Sequence, residues 1–206
     1  MAIITNYATL KTAIADYLAR DDLTTFIPNF VQAAERELDA RLNLRNEETA
    51  LSVDVSSGVA AVPSDFKALK FAYYNGNTAI PLQWVTLEEL YRDYPSRSSG
   101  ASSSPSVISR EAGNFIFGPV AADGTAALKG VYYATQDSLE TTDPSWYVSN
   151  HPEVLVYGAC REAALFIQNM EMYQFWDKQF EQRIGFIRQQ ECSETVPTQG
   201  LVIRTA

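Results

Sequence analysis

The chain has 206 residues, with 16 Lys and Arg against 25 Asp and Glu, giving a net charge of −9 and a pI near 4.6. Hydrophobic residues at 46% and charged residues at 20% exclude a wholly disordered chain, and the acidic balance excludes the usual phosphate-binding surfaces, which need surplus Lys and Arg. Two cysteines, Cys160 and Cys192, give neither a disulfide framework nor a metal cluster, and no apolar run nears the ~18–20 residues of a bilayer span.

In chain order, apolar residues at Leu10, Ala13, Ile14, Tyr17 and Leu18 predict a helix over 7–20. Asn6 or Thr5 offers an N-cap oxygen, and Asp21-Asp22 marks the exit. A second helix is expected from Pro28 to about residue 42, with Phe30, Val31, Ala34, Leu38 and Leu42 on its buried stripe. The two should form an antiparallel pair. The period then changes to two at Thr49, Leu51, Val53 and Val55, which predicts a half-buried strand. Ser57-Gly58 turns the chain into a strand over 59–62, and Pro63-Ser64-Asp65 ends it. An aromatic-rich strand over 66–74 runs into Asn75-Gly76, a strong hairpin signal, with a return strand over 80–85. Thr86 caps a short helix over 87–94, and Glu89 suits a capping box.

Residues 96–106 (SRSSGASSSPS) have almost nothing to bury and read as a flexible loop. Strands are expected over 114–117 and 126–134, joined by the turn around Asp123-Gly124. Trp146 leads into His151-Pro152 and a third long helix, 153–168, whose Gly158, Ala159, Ala163 and Ala164 admit a close neighbour. A fourth follows over 171–190, with Tyr173, Trp176, Phe180, Ile184 and Ile187 on one side. Residues 193–206 hold Pro197, Gly200 and the apolar run Leu201-Val202-Ile203, followed by Arg204, and read as an extended tail that docks on a partner.

The residues offer no reaction. His151 is the only histidine and, placed before Pro152 at a helix entrance, suits capping or packing better than proton transfer. Cys160 lies among small apolar residues as buried filler. No P-loop, GxGxxG or GxSxG is present, and no zinc-type cysteine pair. The carboxylate pairs Asp21-Asp22, Glu47-Glu48 and Glu88-Glu89 are adjacent in sequence, so their side chains diverge. No enzyme activity, cofactor or metal is therefore expected. The chain is expected to be soluble, intracellular and reduced, without a membrane partner.

The opening TNYATLKTAIADYLARDDLTTFIPNFVQAAERELDARL is similar to the start of the head-to-tail adaptor proteins of tailed bacteriophages, also called head-completion, connector or gateway proteins. The positions that carry this resemblance are Tyr7, Leu10, Asp22, Leu23, Ile27, Pro28 and Phe30. The segment DPSWYVSNHPEVLVYGACREAALFIQNMEMYQFWDKQFEQRI resembles the same family at Trp146, His151-Pro152, Tyr157-Gly158, Glu162-Ala163-Ala164 and Trp176. VPSDFKAL, PLQWVTLEELYRDYP and NFIFGPVAADGTAALKGVYYA match in style. The resemblance implies a structural virion protein: a ring, typically dodecameric, between the portal and the tail or nozzle, assembled in the host cytoplasm. It extends a channel that DNA crosses without specific binding and provides the platform for the tail.

The fold expected is α+β in one domain, residues 1–192. A bundle of four main helices contributed by both termini (within 7–42 and 153–190) carries a small, mostly antiparallel sheet insert over about 49–134 and an extended tail over 193–206. The core should gather Leu10, Ile14, Leu18, Phe30, Val31, Leu38, Leu155, Ala159, Phe166, Trp176, Phe180 and Ile184. Leu201, Val202, Ile203 and Arg204 are the expected partner-binding residues. Two other readings stay open: a virion-associated hydrolase using a carboxylate pair, with Glu88 or Glu162 first in line, and a stand-alone helical binding module.

Overall fold

The computed structural model describes residues 3–20, 22–76, 78–96 and 104–195. The chain divides into two compact units: a helical one, formed by residues up to Leu42 and from Gln136 on, and a sheet unit from Asn43 to Thr135.

In the helical unit, α1 (Tyr7–Leu18) starts where the Asn6 side chain accepts from the Thr9 N–H, and ends at Ala19 in the left-handed region (φ 48°). Helix α2 (Ile27–Arg41) has Pro28 in its first turn, where a missing N–H costs nothing. After the short α4 (Trp146–Asn150) come α5 (Pro152–Phe166) and α6 (Met170–Thr195). Helix α5 is the centre, with α6 and α2 as its main neighbours; α1 packs more on α5 than on α2. The small residues foreseen on α5 explain this: a Cβ at Gly158 would sit 2.7 Å from the Ala34 Cβ and 3.0 Å from the Phe180 ring. Leu10, Ile14, Val31, Leu38, Leu155, Ala159, Trp176, Phe180 and Ile184 are buried as the periodicity predicts. Phe166 is not: it is 53% exposed at the last turn of α5. The segment returning from the sheet unit is tied to both opening helices. Asp143 accepts from the Tyr7 N–H at 2.8 Å, and Glu35 accepts from the Leu139 N–H at 3.2 Å.

The sheet unit corrects the expected fold class. In place of a four-helix bundle with a small antiparallel insert, the described residues form six helices and an eight-stranded mixed sheet. The strands are β1 (Glu48–Ser56), β2 (Val59–Ala61), β3 (Phe66–Asn75), β4 (Ala79–Pro81), β5 (Gln83–Trp84), β6 (Val107–Glu111), β7 (Asn114–Gly118) and β8 (Gly124–Ala134). They lie in the order β4-β3-β8-β1-β2-β7-β6-β5. The end strands β4 and β5 are separated in sequence by Leu82 alone, so the sheet curls back on itself into a nearly closed barrel. The Leu82 N–H donates to the Ala72 carbonyl on β3, while the Gln83 N–H donates to Ser106 beside β6.

Two features hid this from the sequence. The expected return strand splits at Leu82, its first half pairing β3 and its second pairing β6 in parallel. In addition, β6 is only five residues long and follows the Ser-rich stretch, whose residues 97–103 lie outside the described residues. It forms because Ala112, at φ 51°, and Gly113 return the chain into β7, with Glu111 opposite Asn114. Strand β7 is buried on both faces. Phe115 and Phe117 point into the main core with Leu51, Leu128 and Tyr132, while Ile116 packs under helix α3 (Leu87–Asp93) with Leu90 and Val85. The Thr86 cap of α3 is present, its hydroxyl accepting from the Glu89 N–H. The Asn75-Gly76 hairpin also forms, with Asn75 opposite Ala79.

Candidate functional site

Charge divides unevenly between the units. The helical unit holds 16 acidic and 9 basic residues, a net −7, and the sheet unit 9 acidic and 7 basic, a net −2. Among the described residues, one cluster of that charge is built around a buried cation. Arg161 on α5, 7% exposed at its side chain, binds Glu37 on α2, Glu162 beside it at 2.7 Å, and Asp177 on α6 at 3.5 Å. Its guanidinium also lies 4.6 Å from the Phe180 ring centroid. Arg41 extends the network, reaching Glu37 at 2.9 Å and Glu181 through both oxygens at 2.5 and 2.6 Å. A buried guanidinium is tolerated only when its donors are met, and here three helices supply the carboxylates. Hydrogen bonding to Arg161 holds the Glu37 carboxyl below the usual glutamate range, and Arg41 does the same to Glu181. Burial pushes neighbouring Glu35 the other way. This arrangement fastens α2, α5 and α6 to one another.

The carboxylates singled out in the sequence are separated by the fold. Glu47 is buried, accepting from Lys67 at 2.8 Å and from the Leu44 N–H, while its neighbour Glu48 binds Lys70 at 2.5 Å. Asp22 pairs with Arg20, and Asp21 lies outside the described residues. Glu88 and Glu89 stand in the first turn of α3, where negative charge meets the positive helix end. Glu162 belongs to the Arg161 network. His151 ends α4 and opens α5, its ring against Trp146 (5.2 Å between centroids) and Phe186 (6.3 Å). Burial raises the Cys160 thiol to about 12, so it is no nucleophile near neutrality, whereas Cys192 is exposed.

The expected tail lies mostly beyond what the structure describes. Leu201, Val202, Ile203 and Arg204 fall outside the described residues. Its first residues do not: α6 continues to Thr195, past the boundary expected at 193. At 26 residues α6 is about 39 Å long. Its buried stripe is Trp176, Phe180, Ile184 and Ile187.

Two surfaces went unforeseen. On the helical unit, Phe26 (40% exposed) meets the exposed Phe166 with ring centroids 5.0 Å apart, and Leu165, Met170 and Phe175 are also exposed around the turn from α5 to α6. On the sheet unit, a cleft of about 360 Å³ runs between the first half of β3 (Phe66, Ala68, Leu69) and Trp84 with Arg110 on the β5–β6 side. Neither has a one-dimensional signal: Phe166 continues a helical stripe, and the cleft joins residues far apart in sequence. The helical unit also has an apolar cleft of about 260 Å³ between α1 and α5, with Tyr17 and Tyr157 in its wall. No described helix is long and apolar enough to cross a membrane.

No curated protein matches the sequence. A family model described as SU10 adaptor protein matches residues 5–199. That span takes in both units, and the chain accordingly belongs to the SU10 adaptor protein family, as a structural adaptor component of the phage virion.

Proposed function

We propose that this chain forms a ring between the portal and the tail, extends the DNA channel and provides the platform on which the tail assembles. Family membership carries the reading. The charge distribution supports it: a net −7 in each helical unit, repeated around a ring, repels a polyanion and suits a conduit through which DNA slides without sticking. The exposed Phe26, Leu165, Phe166 and Met170 supply apolar surface for head or tail neighbours. Residues 201–204 contribute a further docking element, in which Leu201 and Ile203 enter pockets on one side of an extended segment. The ring is dodecameric and assembles in the host cytoplasm.

Assembly is conditional. Subunits of −9 charge repel one another over a distance set by salt, ~8 Å at physiological ionic strength. Mostly monomer is expected from the isolated protein at low salt, with rings favoured on a portal that raises effective concentration. Microscopy of the protein alone and mixed with portal rings tests this. Rings seated on portals are the expected result. A stable, salt-independent ring without any portal overturns the conditional assembly, and no association with portals at any salt overturns the ring between portal and tail.

A further inference from the structure

The nearly closed sheet fails to close at one place. Ala68, Leu69 and Phe71 of β3 pair with β8 on one side, and among the described residues no strand pairs with them on the other. Across the cleft, Ser109, Arg110 and Glu111 of β6 pair with β7, and β5 reaches only Val107 and Ile108. Two strand edges therefore face the same cleft of about 360 Å³, with half-exposed Trp84 in its wall. Phe66 and Leu69 pack on the main core yet stay only partly buried, and the Arg110 guanidinium from β6 lies across the cleft, 5.6 Å from the Phe66 ring centroid. Backbone N–H and C=O groups in such an edge seek another strand, and a half-covered apolar pair beside them seeks side chains from it. The register of β3 shifts between Leu69 and Phe71, which kinks the edge and limits what can be added to a short strand.

We propose that this seam is a strand acceptor, and that its occupant is residues 201–204 of a second copy of the chain. The inference rests on the ring reading above. Five residues separate Thr195 from Leu201, enough to carry the run about 20 Å from the helix end when extended. The residues after Thr195 hold one run of high strand preference, Leu201-Val202-Ile203-Arg204, set off by Pro197 and Gly200. Its four residues equal the length of open edge over 68–71. Alternation then puts Leu201 and Ile203 on one face, toward Phe66 and Leu69, and Val202 and Arg204 on the other, toward solvent. Each subunit offers one seam and one such run, so the exchange can pass head to tail around a closed ring.

Cysteine pairing between copies tests the seam in the full-length chain, with Cys192→Ser in every variant. Copies carrying Leu69→Cys are mixed with copies carrying Ile203→Cys at high protein concentration in about 0.5 M salt, where charge repulsion is screened, and oxidised. The expected result is a disulfide-linked dimer of the two variants, formed at least about fivefold more than when Val202→Cys replaces Ile203→Cys, because neighbouring strand residues face opposite ways. Equal yields from the two positions, or no linked dimer, overturn the seam as acceptor. A link that forms only within single chains carrying both cysteines overturns the second copy as occupant. A chain ended after Thr195 separates this from the reading beneath it. If the shortened chain joins portal rings as well as the intact one, tail docking itself fails; if it does not join them and the cysteines do not pair, the tail docks elsewhere.

Discussion

Each helix of the helical unit carries its own buried face, and α2, α5 and α6 meet where Gly158 and Ala34 leave room and where Arg161 is held by carboxylates. Strands of the sheet unit make nothing alone: Glu48 is completed by Tyr133, Val59 by Ile116, and Gln83 by Val107. One unit is thus specified mostly by contacts a few residues apart along each helix, the other by pairings across the length of its segment. The difference extends to charge. The helical unit takes most of the acid and buries an arginine to fasten itself, while the nearly neutral sheet unit buries the Glu47–Lys67 pair and leaves an apolar seam open.

The largest effect expected is on the helical side. Phe180 is fully buried, against Gly158 and under the Arg161 guanidinium. Phe180→Ala should destabilise by about 3–5 kcal/mol, the range for deleting a buried ring. Hydrogen exchange residue by residue sharpens the comparison. Loss of protection in α2, α5 and α6 with β1 and β8 unchanged would mean that the two units unfold separately; equal loss in both would make them one cooperative block.

A change at the centre of the sheet gives the converse. A Cβ at Gly130 on β8 would collide with the Phe71 carbonyl and lie 2.8 Å from the Ala72 Cα, because β3 bulges directly over it. Gly130→Ala should cost about 1–3 kcal/mol through backbone displacement, read as lost protection in β3 and β8 with α5 unchanged. An unaltered melting temperature would show that β3 can yield at its bulge.

How much of each unit could be read in advance follows from the same contrast. The helices expected at 7–20, from Pro28 to 42, 153–168 and 171–190 overlie α1, α2, α5 and α6, since a 3.6 period is written locally. Phe166 misled because it continues the stripe of α5 at its last turn, where the rings of Phe26 and Phe30 lie against it but leave it 53% exposed. The strands at 49–55, 66–74 and 126–134 were legible as strands, but nothing in a run of alternating residues states which strand it pairs with. A split at Leu82 and a five-residue β6 were enough to turn a supposed small insert into a nearly closed eight-stranded sheet. The seam was hidden for that reason too, as Leu69 and Arg110 become neighbours of one cleft only after the sheet curls.

The smallest effect expected separates two glutamates on one helix. Glu37 is held below the ordinary glutamate value of about 4.3 by its hydrogen bonds to Arg161 and Arg41, so its stabilising contribution is present above that value and lost as the pH falls through the lower folded one. Glu35, two residues away, is raised by burial, which the bonds from Leu139 and Ser138 only partly offset. Its contribution has the opposite sign: greatest below pH about 4.3, and lost as the pH rises through its folded value. Glu37→Gln should therefore lower the melting temperature at pH 7 and draw nearer the parent only as the pH falls below about 4. Glu35→Gln should match or exceed the parent at pH 7, because an amide oxygen can still accept from Leu139 while no buried charge remains. Each shift should stay within about 2–4 °C, what ~1 kcal/mol produces in a chain of this size. Melting curves of both variants at pH 3 and 7 check the sign. If Glu35→Gln falls by as much as Glu37→Gln at neutral pH, the Glu35 carboxylate is a fastening charge like its neighbour, and the network on α2 reaches beyond Arg161 and Arg41 to the segment that returns from the sheet unit.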